Sequence, residues 1–341
     1  MSDPRLDRIA IVLLSAIGDA VHVLPAVTAL KRHAPRSRIS WFLSSGPASL
    51  VRGHPGVDEI IAFDPRRGAR AWFDMRRQLR ARAFDVVLDF QVAIKAGLLT
   101  SLLRAPVKIG FDRARARDLN WLFTNRRIPA RANQHVQDQY FEFLEYLGVP
   151  TSPVEWNLGP WPGESGLMRS VIESAQRPMV SIAIASSRKE KDWPPDRWVP
   201  VIDTLQERYG TRVVLVGGRS DSELRAEQVI LDGVRERPLS TLGCTLRELV
   251  AVLHASALVI STDSAPMHMA VALGVPVIGL FGMTDPRRTG PYRASQQLIV
   301  NAYRDPGDGD AILMEKRYGR MPRIDVEDVL AKVALWHSSR R

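Results

Sequence analysis

The chain alternates short apolar runs with stretches of helical periodicity, twice over, and that rhythm restricts it to a layered α/β architecture. The first series reads IAIVLL, a helix from about Val21, ISWFLS near 40, IIAF near 60, a helix around Trp72 to Arg82, DVVLDF at 85–90 and a helix over Ala96 to Leu103. Strands separated by helices form parallel sheets covered on both faces. Residues Gln134 to Leu147 add an amphipathic helix closed by Gly148, where glycine accepts the left-handed conformation of a C-cap.

Between Val149 and Pro178 the prolines, glycines and two tryptophans have the chemistry of a linker with at most one short helix. The second series follows: MVSIAIA, a helix from Pro195 to about Arg208, TRVVLVGG, a helix after Asp221, a short run at Leu239 to Leu242, a helix over Leu246 to His254, ALVIS, a helix over Ala265 to Leu273, and VPVIGLFG. Asp325 caps a last helix reaching Trp336. The expected organisation is a Rossmann-like domain at 1–150, a linker at 151–177, a second Rossmann-like domain at 178–324 and a C-terminal helix at 325–341 that packs back across the junction. A length of 341 residues agrees with two cores. Two such sheets facing each other are expected to leave a cleft lined by strand C-terminal ends, where α/β sheets bind ligands.

Lysine and arginine number 47 against 37 acidic residues, a net charge of +10 that favours an anionic partner. The single cysteine, Cys244, excludes an internal disulfide or thiolate metal cluster and fits a reducing cytoplasm. Arg5, Arg8 and the run from Ile9 to Ile17 imitate a secretory signal, but the break at Gly18-Asp19 and the helical spacing of Val21, Leu24, Val27 and Leu30 read as strand, turn and helix. No apolar stretch approaches the ~20 residues of a membrane span, so membrane contact is expected to be peripheral. No zinc finger, aromatic RNA-binding motif or basic zipper appears, and the cations cluster beside loops, which argues against nucleic acid.

Three strand-to-helix turns carry candidate chemistry. In Ser15-Ala16-Ile17-Gly18-Asp19, Gly18 lets a ligand approach the backbone, while Asp19 is either a helix cap or a carboxylate placed to accept a proton from an attacking hydroxyl. In Ser186-Ser187-Arg188-Lys189-Glu190-Lys191, hydroxyls and cations suit a diphosphate, with Lys191 the best single candidate; a solvated basic turn is the alternative. In Ser261-Thr262-Asp263-Ser264-Ala265-Pro266-Met267-His268, free amides at a helix start welcome phosphate oxygens. Asp263 and His268 either bond donor hydroxyls or serve as a cap and a core histidine.

Asp308-Gly309-Asp310 has the D-x-D spacing of one metal-dependent glycosyltransferase class, but it continues the turn Asp305-Pro306-Gly307 and reads as a solvated loop, so no metal is expected. Residues 65–82, PRRGARAWFDMRRQLRAR, interleave seven arginines with Trp72, Phe73, Met75 and Leu79, which suits either an anionic membrane surface or an ordinary solvated helix.

LLSAIGDAVHVLPAVTALK, RKEKDWP and LRELVAVLHASALVISTDSAPMHMAVALGVPVIGLFGMTDPRRTGPY together resemble the family 9 glycosyltransferases, the heptosyltransferases of lipopolysaccharide core assembly, over nearly the whole chain and in the same order. The resemblance implies a GT-B fold of two Rossmann-like domains and an inverting, metal-independent transfer. ADP-heptose would bind the C-terminal domain and a lipid-linked acceptor the N-terminal one. It makes Asp19 the general base, Lys191 the diphosphate-binding cation, and Asp263 with His268 the donor-site pair. Ser186 and Ser187 stand where first-heptose enzymes carry threonines, Thr262 and Ser264 complete the donor loop, and Glu223 is a looser match to a ribose-contacting acid. Gly18, Lys95 and Arg113 are the candidate acceptor contacts.

DVVLDFQVAIKAGLL and the arginine-rich segment look most like the enzyme that adds the first heptose to the Kdo region of lipid A. The D-S-A-P-M-H and TDPRRTGPY segments have the form of the wider family, leaving another family 9 transferase as the alternative, with a GT-B nucleotide-sugar epimerase as a rival. The implied setting is the cytoplasmic face of the inner membrane.

Overall fold

The computed structural model describes residues 4–164 and 166–340. The chain divides into two compact units: unit 1 runs to Ala132 and resumes over Val136–Leu158, and unit 2 takes Asn133–His135 and everything from Gly159. Residues 151–158 thus belong to unit 1 and 159–177 to unit 2. In the latter stretch Arg247 holds Glu164 (Nε to Oε1 2.7 Å) and lies 3.6 Å over the Trp161 ring.

Among the described residues, unit 1 holds strands β1 (Arg8–Val12), β2 (Arg38–Leu43), β3 (Glu59–Ala62), β4 (Val86–Asp89), β5 (Val107–Gly110) and β6 (Arg126–Arg127), with helices α1 (Ile17–His33), α2 (Ser45–Val51), α3 (Ala69–Leu79), α4 (Ile94–Leu102) and α5 (Val136–Tyr146). The parallel sheet runs β3-β2-β1-β4-β5-β6. In β1 every residue after Arg8 is buried, and all four of β4 are, because helices cover both sheet faces. β5 and β6 escape the apolar-run pattern: VKIG carries a lysine, and an edge pair of arginines has no pattern to recognise.

Unit 2 repeats the plan with β7 (Met179–Ala183), β8 (Arg212–Val216), β9 (Leu239–Ser240), β10 (Ser256–Thr262), β11 (Val277–Phe281) and β12 (Ile299–Asn301), ordered β12-β11-β10-β7-β8-β9. Its helices are α6 (Arg169–Ser174), α7 (Trp198–Glu207), α8 (Asp221–Gly233), α9 (Leu246–His254), α10 (Ala265–Ala272), α11 (Pro286–Thr289) and α12 (Val326–Ser338). Both sheets therefore have the Rossmann order, whose strand sequence reverses between the first and fourth strands and leaves a crevice at their C-terminal ends. Those pairs are β1 with β4 and β7 with β10. The last helix, α12, buries Val329, Val333 and Trp336 in unit 2's own core beside Trp198, Ile202 and Leu205 of α7.

Candidate active site

In unit 2 the reversal point brings together two loops that are distant in sequence. The loop after β7 is fixed at its base: buried Trp193 donates Nε1–H to the Ile324 carbonyl (3.0 Å) and packs edge-on against Trp198, while Asp192 Oδ1 accepts the Ser186 amide at 2.7 Å. Burial raises the Asp192 pKa, although its bonds from Ser186 oppose the rise. The single turn Lys189–Lys191 between these ties holds Lys191 half-buried. Ser186 Oγ bonds to the Arg188 carbonyl within the loop, and Ser187 is exposed.

Lys191 Nζ donates to Asp263 Oδ2 at 2.6 Å and to the Asp263 carbonyl at 3.1 Å. The same Oδ2 accepts Thr284 Oγ1 at 2.6 Å, and His268 Nε2 lies 3.6 Å from Oδ1. Burial alone would raise the Asp263 pKa; His268 and Lys191 outweigh it and hold the carboxyl far below its ordinary range. This is a buried anion satisfied by a cation, a hydroxyl and an imidazole, which is how an interior charge is tolerated. An ammonium has three N–H donors, and Asp263 takes two.

Ser264 stands at the N-cap of α10, with Pro266 in the first turn, so the helix start presents backbone amides and partial positive charge beside this lysine. Thr262 is fully buried, its hydroxyl unpartnered among the described residues, and Ser261 Oγ meets Ser264 Oγ at 2.9 Å. Glu223 spends its carboxylate on the β8 loop, accepting Gly218 N (2.6 Å), Ser220 N (2.9 Å) and Ser220 Oγ (2.6 Å) as the inner acid of a capping box.

Next to Thr284, buried Asp285 accepts Arg304 Nη1 at 2.6 Å and Leu313 N at 3.0 Å, pinning the loop after β12. That loop contains the D-x-D. Asp308 takes both terminal nitrogens of Arg317 (2.6 and 2.8 Å), which hold its carboxyl well below the usual range, while Asp310 points to solvent. Among the described residues no group of three or more His, Cys, Asp or Glu is placed to hold a metal ion.

In unit 1 the helix begins earlier than its apolar spacing predicts. Ala16 is the N-cap, Gly18 lies in the first turn, and Asp19 is the third helical residue, its Oδ2 accepting the Ala16 amide at 2.9 Å. Asp19 is thus the acidic half of a capping box and not the cap itself, and it is half-buried. Two residues that sequence reasoning passed over support this turn. Gln91 accepts Leu14 N (2.9 Å) and donates to the Ser15 carbonyl (3.1 Å), strapping the β1 loop to the β4 loop. Beneath it, fully buried Asp89 accepts Thr100 Oγ1 (3.0 Å), Asn120 Nδ2 (3.2 Å) and Gln91 N (3.2 Å); burial raises its pKa to about 7 against those bonds. A charged residue at the end of VVLD, otherwise wholly apolar, was the available signal. Lys95 is exposed in the first turn of α4, and exposed Arg113 lies 4.6 Å over the Trp121 ring.

Two Rossmann sheets, with a lysine held by a buried aspartate at the helix start of the second, have the architecture of the GT-B class of nucleotide-sugar enzymes. The profile of Glycosyltransferase family 9 (heptosyltransferase) matches residues 72–309. The chain is 30% identical to the lipopolysaccharide core heptosyltransferase OpsX of Haemophilus influenzae, over 95% of each chain. It is 29% identical to lipopolysaccharide heptosyltransferase 1 of Salmonella typhimurium, over 89% of this chain and 97% of that one. Among solved structures, Escherichia coli heptosyltransferase WaaC with ADP superposes with a TM-score of 0.77 at 25% identity, over 96% of this chain and 99% of that one. The protein belongs to glycosyltransferase family 9 and is a glycosyltransferase.

Proposed function

We propose that the protein transfers heptose from ADP-heptose to the inner core of lipopolysaccharide, with the Kdo region of lipid A as acceptor. The names of the relatives supply the substrate class, and the arginine-rich segment with DVVLDFQVAIKAGLL supports the first-heptose position. The observation that carries the reading is the Lys191–Asp263 pair beside the first turn of α10, a preformed cationic seat for a diphosphate.

In this reading Asp19 takes the proton of the acceptor hydroxyl while its oxygen attacks the anomeric carbon. The bond to the diphosphate breaks with inversion, and the departing electron pair is stabilised by Lys191 and the α10 amides. Ser186, Ser187, Ser264 and His268 line the donor side with buried Thr262 beneath them, Glu223 shapes its ribose end, and Gly18, Lys95 and Arg113 face the acceptor. No metal or organic cofactor takes part. In the same reading the acceptor is lipid-linked and the protein works as a peripheral enzyme on the cytoplasmic face of the inner membrane; among the described residues no helix is long and apolar enough to cross a membrane.

Incubation of the purified protein with ADP-heptose and Kdo-lipid A, read by mass spectrometry, tests this. One added heptose with ADP released is expected. Reaction only with an acceptor that already carries heptose would move the position along the core, and conversion of a nucleotide sugar without acceptor would make the protein an epimerase.

A further inference from the structure

Helices α3 and α4 cover the same face of the unit 1 sheet, since Met75 and Leu79 of one and Ala96 and Leu99 of the other share a single buried cluster. Their C-terminal ends are joined where Arg104 donates to the Arg80 carbonyl at 3.3 Å. Outward, α3 turns Arg70, Phe73 and Arg77, at helical spacings of three and four, with Phe73 72% exposed. On α4, Ile94 and Leu98 are exposed one turn apart.

The turn Asn120–Phe123 lies directly on α4: a Cβ at Gly97 would sit 2.4 Å from the Phe123 ring, so glycine is what lets the two elements meet. This turn displays Leu119 (57% exposed) and Leu122 (55%). Five of the eleven large apolar side chains exposed among the described residues therefore lie on one face, a concentration that scattered surface residues do not produce.

The surrounding charge selects the occupant. Residues 64–82 hold seven arginines against Asp64 and Asp74, the latter paired with Arg77 at 3.3 Å, and Arg113 and Arg127 both stack on Trp121. A group of apolar tips set among arginines matches the headgroup boundary of an anionic bilayer, where the tips enter the acyl region and guanidinium groups hold phosphates. A nucleic acid would satisfy the arginines and leave the leucines in water.

We infer that the α3–α4 face of unit 1, with the Asn120–Phe123 turn, is the surface by which this protein lies on an anionic membrane. The inference rests on the reading that the acceptor is lipid-linked, and it names the face that approaches the lipid.

Flotation of the full chain with vesicles tests it, using phosphatidylcholine alone or with about a quarter phosphatidylglycerol. Binding to the anionic vesicles, weakened by salt, is expected. Leu119→Ser with Leu122→Ser, and separately Phe73→Ser, should each weaken that binding by about tenfold or more while ADP binding stays unchanged. These side chains are exposed, so the fold is spared, and Arg70→Glu with Arg77→Glu tests the charge independently. Absence of flotation, equal flotation of wild type and variants, or capture of a DNA duplex through the same residues overturns the inference. Transfer to a deacylated Kdo acceptor in solution needs no bilayer, so it tests the enzymatic reading separately.

Discussion

The Lys191 ammonium lies 2.6 Å from Asp263 Oδ2, joining the C-terminal ends of two paired strands across 72 residues of sequence. The lysine is the natural partner of a diphosphate, and the aspartate keeps it in place while it waits. Lys191→Ala should weaken ADP binding by about tenfold or more. It should also cost about 3 kcal/mol, because it strips a cation from a buried carboxylate. Adding Asp263→Asn should return much of the stability and none of the ADP affinity, as read by calorimetry and thermal melts. Unchanged ADP affinity in Lys191→Ala would remove the diphosphate role.

Asp19 accepts the Ala16 amide, and asparagine can accept it equally well. Asp19→Asn should therefore change stability by no more than about 1 kcal/mol. As the proposed base, the same change should lower turnover by roughly a hundredfold or more with ADP binding intact. A folded variant with near-normal turnover on Kdo-lipid A would defeat the assignment.

Asp89 is held with its pKa raised to about 7, above its unfolded value. Its contribution to stability is present in full below the unfolded pKa near 4 and is lost as pH rises towards and through about 7. Asp89→Asn should raise the melting temperature of the protein at pH ~8 relative to wild type, with the advantage shrinking towards pH ~5. Parallel melting curves that keep a constant gap across this range would contradict burial as the cause.

Gln91 straps Leu14 and Ser15, the residues just before the Asp19 turn. Gln91→Ala should cost about 1–2 kcal/mol by leaving the Leu14 amide unbonded. If the strap positions Asp19, turnover should fall more than the KM for ADP-heptose changes. Gln91→Glu keeps the acceptor for Leu14 but loses the donor to Ser15, so it should fall between wild type and Gln91→Ala. Identical kinetics in all three would leave Gln91 a purely structural tie.

Activity should survive EDTA. Asp310→Asn should be close to silent, since its 3.8 Å pair with Arg287 is exposed, whereas Asp308→Asn should loosen the loop tied by Arg317 and lower the melting temperature. Loss of activity in EDTA that Mg²⁺ or Mn²⁺ restores would make D-x-D a metal site.

What the sequence determined by itself was whatever is written locally. Apolar runs and helical spacing marked both Rossmann series, because burial between helix layers imposes a period that any window of the chain displays. The loops after β1, β7 and β10 were legible for the same reason, and the motifs around Lys191 and Asp263 carried the family. The strands β5, β6 and β12 were not legible: a lysine interrupts VKIG, β6 is a pair of arginines, and β12 is a three-residue edge strand. Nor were the partners of the key side chains: that Lys191 meets Asp263, that Thr284 shares the same oxygen, that Gln91 straps Ser15 and that Asp89 is sealed beneath it. Those pairings follow from the order of strands in each sheet, which sets first and fourth strands side by side. Only the closed tertiary structure decides this, because the energy that selects it is summed over contacts between segments far apart in the chain.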